Sequence, residues 1–163
     1  DYARSKIEVE KELLKQHEYS GLPVVILQPT IIYGPFSPPW TIEPVRIILN
    51  YRLVLPDKGQ GICNTVYVDD VAALILRGLL TKEDFLYPLN LGQGNGHSIF
   101  DAAKSIAEVL QFRGTLVCNA RYPDGAQKKV LDSAQFKKIF PHYSFVDFRT
   151  GIHKTIVYYE SIL

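Results

Sequence analysis

Residues 24–29 read VVILQP, a short run of β-branched and aliphatic side chains with no polar alternation. A strand with one solvated face alternates apolar and polar residues, whereas a continuous apolar run fits a parallel strand buried on both faces. The run follows SKIEVEKELLKQHEY at 5–19, where Ile7, Val9, Leu13 and Leu14 sit among charges and strong helix formers. That pattern predicts an amphipathic helix stopped at Ser20-Gly21, because glycine takes the left-handed conformation that ends helices. A helix leading into a strand buried on both faces points to a parallel sheet covered by helices.

The same alternation continues along the chain. TIIYGPFSPPW at 30–40 is dense in proline and glycine and reads as a loop. Thr41 to Tyr51 predicts a helix with Thr41 as its N-cap, and LVLP (53–56) and NTVYV (64–68) read as strands around the turn DKGQG. Asp69 or Asp70 then caps a helix through Leu80, its carboxylate facing unpaired first-turn amides. YPLNLG (87–92) and TLVCNA (115–120) are further strands. Between them Ser98 caps a helix whose Ile99, Ala102, Ala103, Ile106, Val109 and Leu110 share one stripe. SAQFKKIF (133–140) and Arg149 to Ser161 complete the helices. The fold class is therefore α/β with a mostly parallel sheet.

Composition removes several functions. The 163 residues are one domain's worth of chain, and 47% hydrophobic against 21% charged residues fits a folded domain rather than a disordered one. A net charge of +1, with both signs interspersed, leaves no basic footprint for nucleic acid or an anionic membrane surface. No segment is long and apolar enough to span a membrane. Cys63 and Cys118 have no CxxC spacing and are too few for a disulfide framework, so a reducing, cytoplasmic location is expected. His17, His97, His142 and His153 are scattered, which predicts no metal site. Methionine is absent even at position 1, and the expectation is that these residues belong to a longer protein.

Candidate chemistry begins at DYARSK, residues 1–6. Tyr2 and Lys6 stand at i and i+4, on one helix face. A cation beside a phenol favours the phenolate, which suits a tyrosine to proton exchange with a hydroxyl or carbonyl. Taken alone the pair also fits a solvated helix surface. Asp69 and Asp70 are explained by capping, GQGNG at 92–96 by a turn before the Ser98 cap, and His97 by an exposed loop position.

The dyad and its helix, then GLPVVILQPTIIYGP (21–35), NTVYVDDVAALILRGLL (64–80) and YPLNLGQGNGHSIFDAAKSIAEVL (87–110), form an ordered series. The series resembles the C-terminal half of the NAD(P)-dependent epimerase/dehydratase family, the extended short-chain dehydrogenases. The resemblance implies the C-terminal part of a Rossmann-type doubly wound fold plus a smaller α/β substrate-binding region. Residues 1–36 would end the dinucleotide-binding domain, and 37–163 would be mainly the substrate-binding region, with 62–92 able to return to the Rossmann sheet. It further implies NAD or NADP as cofactor and hydride transfer at a carbon of a nucleotide-diphosphate sugar. Tyr2 would be the proton donor or acceptor and Lys6 would hold the nicotinamide ribose. Pro29, Thr30, Ile31 and Ile32 would face the nicotinamide. Tyr33 and Trp40 would belong to the substrate wall. Family members pack the dyad helix against its copy, which implies a homodimer for the intact protein.

Two departures qualify the resemblance. Several sugar-nucleotide epimerases carry an arginine for the substrate diphosphate where this chain has Cys63-Asn64-Thr65, leaving Arg46 as a substitute. PDGAQKKVLD (123–132) is similar to a turn of GDP-fucose-synthase-like members, but FSPPWTIEP lacks the histidine those enzymes place after Y-G-P. The glycine fingerprint that holds a dinucleotide is also missing, so these residues alone are expected to be inactive. The alternatives are a non-catalytic nucleotide-sugar-binding or interaction module, and a reductase of a non-sugar substrate.

Overall fold

The computed structural model describes residues 1–50, 54–56, 58–80, 88–119, 121 and 126–162. In chain order these form α1 (Tyr2–Ser20), β1 (Leu27–Pro29), β2 (Ile31–Tyr33), α2 (Glu43–Leu49), β3 (Val54–Pro56), β4 (Ile62–Cys63), β5 (Thr65–Tyr67), α3 (Val68–Leu80), β6 (Leu89–Leu91), β7 (His97–Ser98), α4 (Ile99–Val109), β8 (Val117–Asn119), β9 (Lys128–Lys129), α5 (Ala134–Ile139) and α6 (Phe148–Glu160). The expected helices and strands are present, although the predicted stretches over 51–53, 87, 120 and 123–125 lie outside the described residues.

The buried run at 24–29 becomes a strand only from Leu27, and it extends further than expected. Ile31–Tyr33, expected as loop, pairs in parallel with β5, Ile31 opposite Thr65 and Tyr33 opposite Tyr67. Leu27–Pro29 pairs in parallel with β6 instead. The change of partner falls at Thr30, whose amide donates to the Leu91 carbonyl at 3.0 Å and whose hydroxyl donates to the Asn64 carbonyl at 2.8 Å. A β-branched IIY segment fits a pleated, half-buried surface, and that preference outweighs the proline-rich sequence behind it. Gly92 sits at this junction with its backbone against Thr30 and Asn64, where a Cβ would collide with both.

β3 pairs in parallel with β8, and β4 lies between β7, antiparallel, and β9, parallel. The two-residue strands β4, β7 and β9 are too short for any periodicity to predict. One core gathers Tyr33, Ile48, Leu55, Tyr67, Ile106 and Ile152, and a second gathers Leu74, Leu89, Leu91 and Phe136. Gly151 of α6 lies directly on Tyr33, where a Cβ would strike the tyrosine hydroxyl.

Helix ends show which local signals held. α1 stops at Gly21, whose φ of 69° is left-handed as expected. Ser98 caps α4: its Oγ accepts from the Asp101 amide at 3.0 Å and donates to the Asp101 carboxylate at 2.6 Å. Ser98→Ala is expected to cost about 1 kcal/mol, the usual value of such a cap. Urea unfolding checks this, and an unchanged midpoint would remove the cap from the account.

Two expected caps do other work. Thr41 falls inside a five-residue π-type turn, Pro38–Ile42, and its Oγ1 accepts from the Gly34 amide at 3.0 Å. Asp70 lies in the first turn of α3 with 4% of its surface exposed, yet its carboxylate accepts from the Tyr143 hydroxyl at 2.7 Å and the Val146 amide at 3.0 Å. It pins the segment before α6 to α3.

Candidate active site

Tyr2 and Lys6 open α1, and the Lys6 Nζ lies 5.4 Å from the centre of the Tyr2 ring. The i, i+4 spacing brings them together as expected. Tyr2 is 78% exposed and α1 buries none of its residues, so the dyad faces outward from the described elements. Glu10 connects the helix to the central strand, its carboxylate accepting from the Gln28 Nε2 at 2.9 Å. That contact joins the dyad helix to the stretch Pro29–Ile32.

Around Thr30 the strand is held from several sides. Ile31–Tyr33 has β5 on one edge, and no other strand pairs with it among the described residues. The Ile32 carbonyl accepts from the Ser37 hydroxyl at 3.1 Å. Asn64, fully buried, donates from its Nδ2 to the Asn95 carbonyl at 2.7 Å and from its main chain to the Lys129 carbonyl at 3.0 Å. Its Oδ1 has no hydrogen-bond partner among the described residues.

The three residues expected to meet the substrate, Tyr33, Trp40 and Arg46, lie in separate surroundings. Tyr33 is a core residue, 1% exposed, stacked between Tyr67 and Phe148 with ring centres 5.4 and 4.8 Å away. Its hydroxyl donates to the Asp147 carbonyl at 3.3 Å, and burial first, then Asp147, pushes the phenol far above its ordinary range. Trp40 lines a cavity of about 180 Å³ together with Leu55, Cys63, His97 and Phe148. Arg46 lies elsewhere, on a larger apolar cavity between α2 and α6, and pairs with Glu43 at 2.9 Å. No arginine or lysine is among the described residues that line the cavity at Cys63.

His97 departs from its expected place. Pairing of β7 with β4 sets Cys63 opposite His97 and turns a loop position into half-buried wall, with the imidazole 4.6 Å from the Phe148 ring. Burial lowers its pKa against an opposing pull from Asp101. Nothing in GQGNGHS signals this, because the pairing partner is more than thirty residues away. No group of three or more His, Cys, Asp or Glu side chains placed to share a metal ion occurs among the described residues. Both cysteines are free, and no described helix is long and apolar enough to cross a membrane.

Residues 1–92, more than half of the chain, match the model of the NAD dependent epimerase/dehydratase family. A probable GDP-L-fucose synthase of Drosophila melanogaster is 25% identical over 97% of this chain and 54% of that protein. A GDP-L-fucose synthase of Dictyostelium discoideum is 26% identical over 94% of this chain and 51% of its own length. Among solved structures, a UDP-N-acetylglucosamine 4-epimerase from Methanobrevibacter ruminantium M1, in complex with UDP-N-acetylmuramic acid, superposes with a TM-score of 0.83 at 21% identity, over 99% of this chain and 54% of that one. A GDP-L-fucose synthetase from Naegleria fowleri bound to NADP gives 0.81 at 19% identity, over 97% and 54%. The chain thus spans about half the length of the curated relatives it matches, and its fold is that of part of a Rossmann-type epimerase.

Proposed function

This chain belongs to the NAD dependent epimerase/dehydratase family, and on that premise we propose that it is part of an NAD(P)-dependent enzyme acting on a nucleotide-diphosphate sugar. The reaction class is epimerisation, dehydration or reduction at a sugar carbon. The observation that carries the reading is the side-by-side placement of Tyr2 and Lys6 on one face of α1, in a chain whose family match begins at residue 1.

In this reading Tyr2 gives a proton to, or takes one from, the sugar oxygen through its hydroxyl. Lys6 supplies ammonium donors to the cofactor ribose and a positive charge beside the phenol. NAD or NADP, held beside this pair, would supply the hydride acceptor or donor that chemistry at the sugar carbon requires. The strand after Pro29 suits the nicotinamide side, since Ile31–Tyr33 pairs with β5 and with no second strand among the described residues. Trp40 remains in the substrate wall, and Tyr33 supports that wall from the core, its buried ring packed against Phe148. Arg46, exposed and paired with Glu43, remains the candidate for the substrate diphosphate contact. Residues 1–36 end the dinucleotide-binding part, and 37–163 form mainly the substrate-binding part, with β5 and β6 pairing back onto the central strand.

The intact protein is read as a homodimer joined through α1. Ile7 and Val9 are 54% and 56% exposed, so the helix keeps apolar surface for a partner. Sedimentation of the intact protein at micromolar concentration tests this, and a monomer would count against it. The catalytic reading is tested by incubating the intact protein with NAD(P) and a panel of UDP- and GDP-sugars. Cofactor-dependent conversion of at least one supports it, and binding of a sugar nucleotide with no conversion of any would favour a binding module instead.

A further inference from the structure

Asn95 and Gly96 stand directly before β7. The chain has five asparagines, and four of them have tied side chains. Asn50 Nδ2 donates to the Arg46 carbonyl at 2.8 Å, Asn64 Nδ2 to the Asn95 carbonyl at 2.7 Å and Asn90 Nδ2 to the Asp132 carbonyl at 3.0 Å. Asn119 Oδ1 accepts from the Arg121 amide at 3.0 Å. Asn95 is the exception: the residue is exposed, and its carboxamide has no hydrogen-bond partner among the described residues. It is also the one asparagine followed by glycine.

Gly96 supplies the other reacting group. The β4–β7 pairing of Ile62 with Ser98 and Cys63 with His97 stops short of it, and its amide has no hydrogen-bond partner among the described residues. With no Cβ, glycine leaves that nitrogen open to close approach. The fold also holds the glycine in place, because a Cβ there would strike Ile62, Val130 and the Cys63 carbonyl. A free carboxamide and a free amide nitrogen on adjacent residues make an attack within the chain effectively unimolecular.

We propose that Asn95 is a site of spontaneous modification, converted through a cyclic imide to aspartate or isoaspartate. The Gly96 nitrogen attacks the Asn95 Cγ and closes a five-membered ring. The Cγ–Nδ2 bond breaks, and ammonia leaves with the former Gly96 amide proton. Water then opens the ring at one of its two carbonyls. Opening at Cγ restores the main chain with an aspartate, whereas opening at the main-chain carbonyl gives an isoaspartate linked through its side chain. Either product adds a carboxylate to a residue that lines a cavity of about 440 Å³ together with Lys137 and Tyr143. Isoaspartate also lengthens the main chain by one atom, and with Gly96 wedged, the added length falls on the Cys63–His97 pairing.

Incubation of the intact protein in mildly alkaline buffer, followed by peptide mapping with mass spectrometry, tests the site, with a urea-unfolded sample alongside. Displacing a reacting group by about 1 Å can cost about 10²-fold, so the tied asparagines should lag. A gain of one mass unit at Asn95, about tenfold or more faster than at the other four, supports the proposal. Native protein is expected to convert within about tenfold of the unfolded chain, because the fold leaves both groups free. Protein isoaspartyl methyltransferase should label the product, and Asn95→Gln, which would have to close a six-membered ring, should lose that label. Native conversion slowed beyond that range, earlier conversion at another of the five, or undiminished labelling of Asn95→Gln overturns it.

Discussion

In the intact protein, Tyr2→Phe is expected to lower turnover by about 10²–10⁴-fold, the range contributed by a positioned general acid or base. Cofactor affinity is expected to change less than about threefold, since the substitution removes one hydroxyl and leaves the ring against which Lys6 rests. The exposed position also keeps stability out of the result, because a surface change of this kind usually stays within about 0.5 kcal/mol. Steady-state kinetics with a responsive nucleotide sugar, alongside a cofactor titration, separate the two effects. Activity within tenfold of the parent would remove the phenol from proton transfer. A parallel loss of cofactor affinity would instead make Tyr2 a cofactor-positioning residue.

The second large effect is on stability. Asp70→Ala is expected to cost about 2–4 kcal/mol, because two donors lose a charged acceptor and each such bond is worth about 1.5–3 kcal/mol without simple additivity. Both donors would remain in a packed setting. Tyr143 meets Phe136 and Phe145 edge-on, and the Arg77 guanidinium lies 5.1 Å from its ring. Burial first and the Asp70 contact next push the Tyr143 phenol far above its usual range, which keeps it a hydrogen-bond donor near neutral pH. Asp70→Asn keeps an acceptor and is expected to lose about half as much. Urea unfolding of the intact protein measures both, and an Asp70→Ala change below about 0.5 kcal/mol would place the clamp among ordinary surface contacts.

Asp70 also illustrates what the sequence could and could not tell. An acidic residue at the start of a helix looks the same whether it accepts from its own first turn or from a tyrosine seventy-three positions away. Features decided within a turn were legible: the α1 stop at Gly21, the Ser98 cap and the apolar stripe of α4. The alternation of strands and helices was enough for a mostly parallel sheet, and the ordered motifs from DYARSK to residue 110 carried the resemblance to the family. Features decided by distant pairing were not. His97 became cavity wall through its pairing with Cys63, and Ile31–Tyr33 became strand through β5, although proline and glycine after them suggested a loop. The outward dyad was legible as a motif, while the separation of Tyr33, Trp40 and Arg46 into three environments depended on packing alone.

The change of partner at Thr30 bears on how the chain is made. Both partners of the central strand lie downstream: Tyr33 waits for Tyr67, and Leu27 waits for Leu89, 62 residues later. At synthesis rates of about 5–20 residues per second, that interval is roughly 3–12 s. Until β5 emerges LQPTIIY has neither partner, and until β6 emerges its Leu27–Pro29 end still lacks one, the kind of segment that other chains can pair with. Pro29 within it withholds one main-chain donor from any such pairing, a modest guard on a nascent strand that must remain unpaired until β6 emerges.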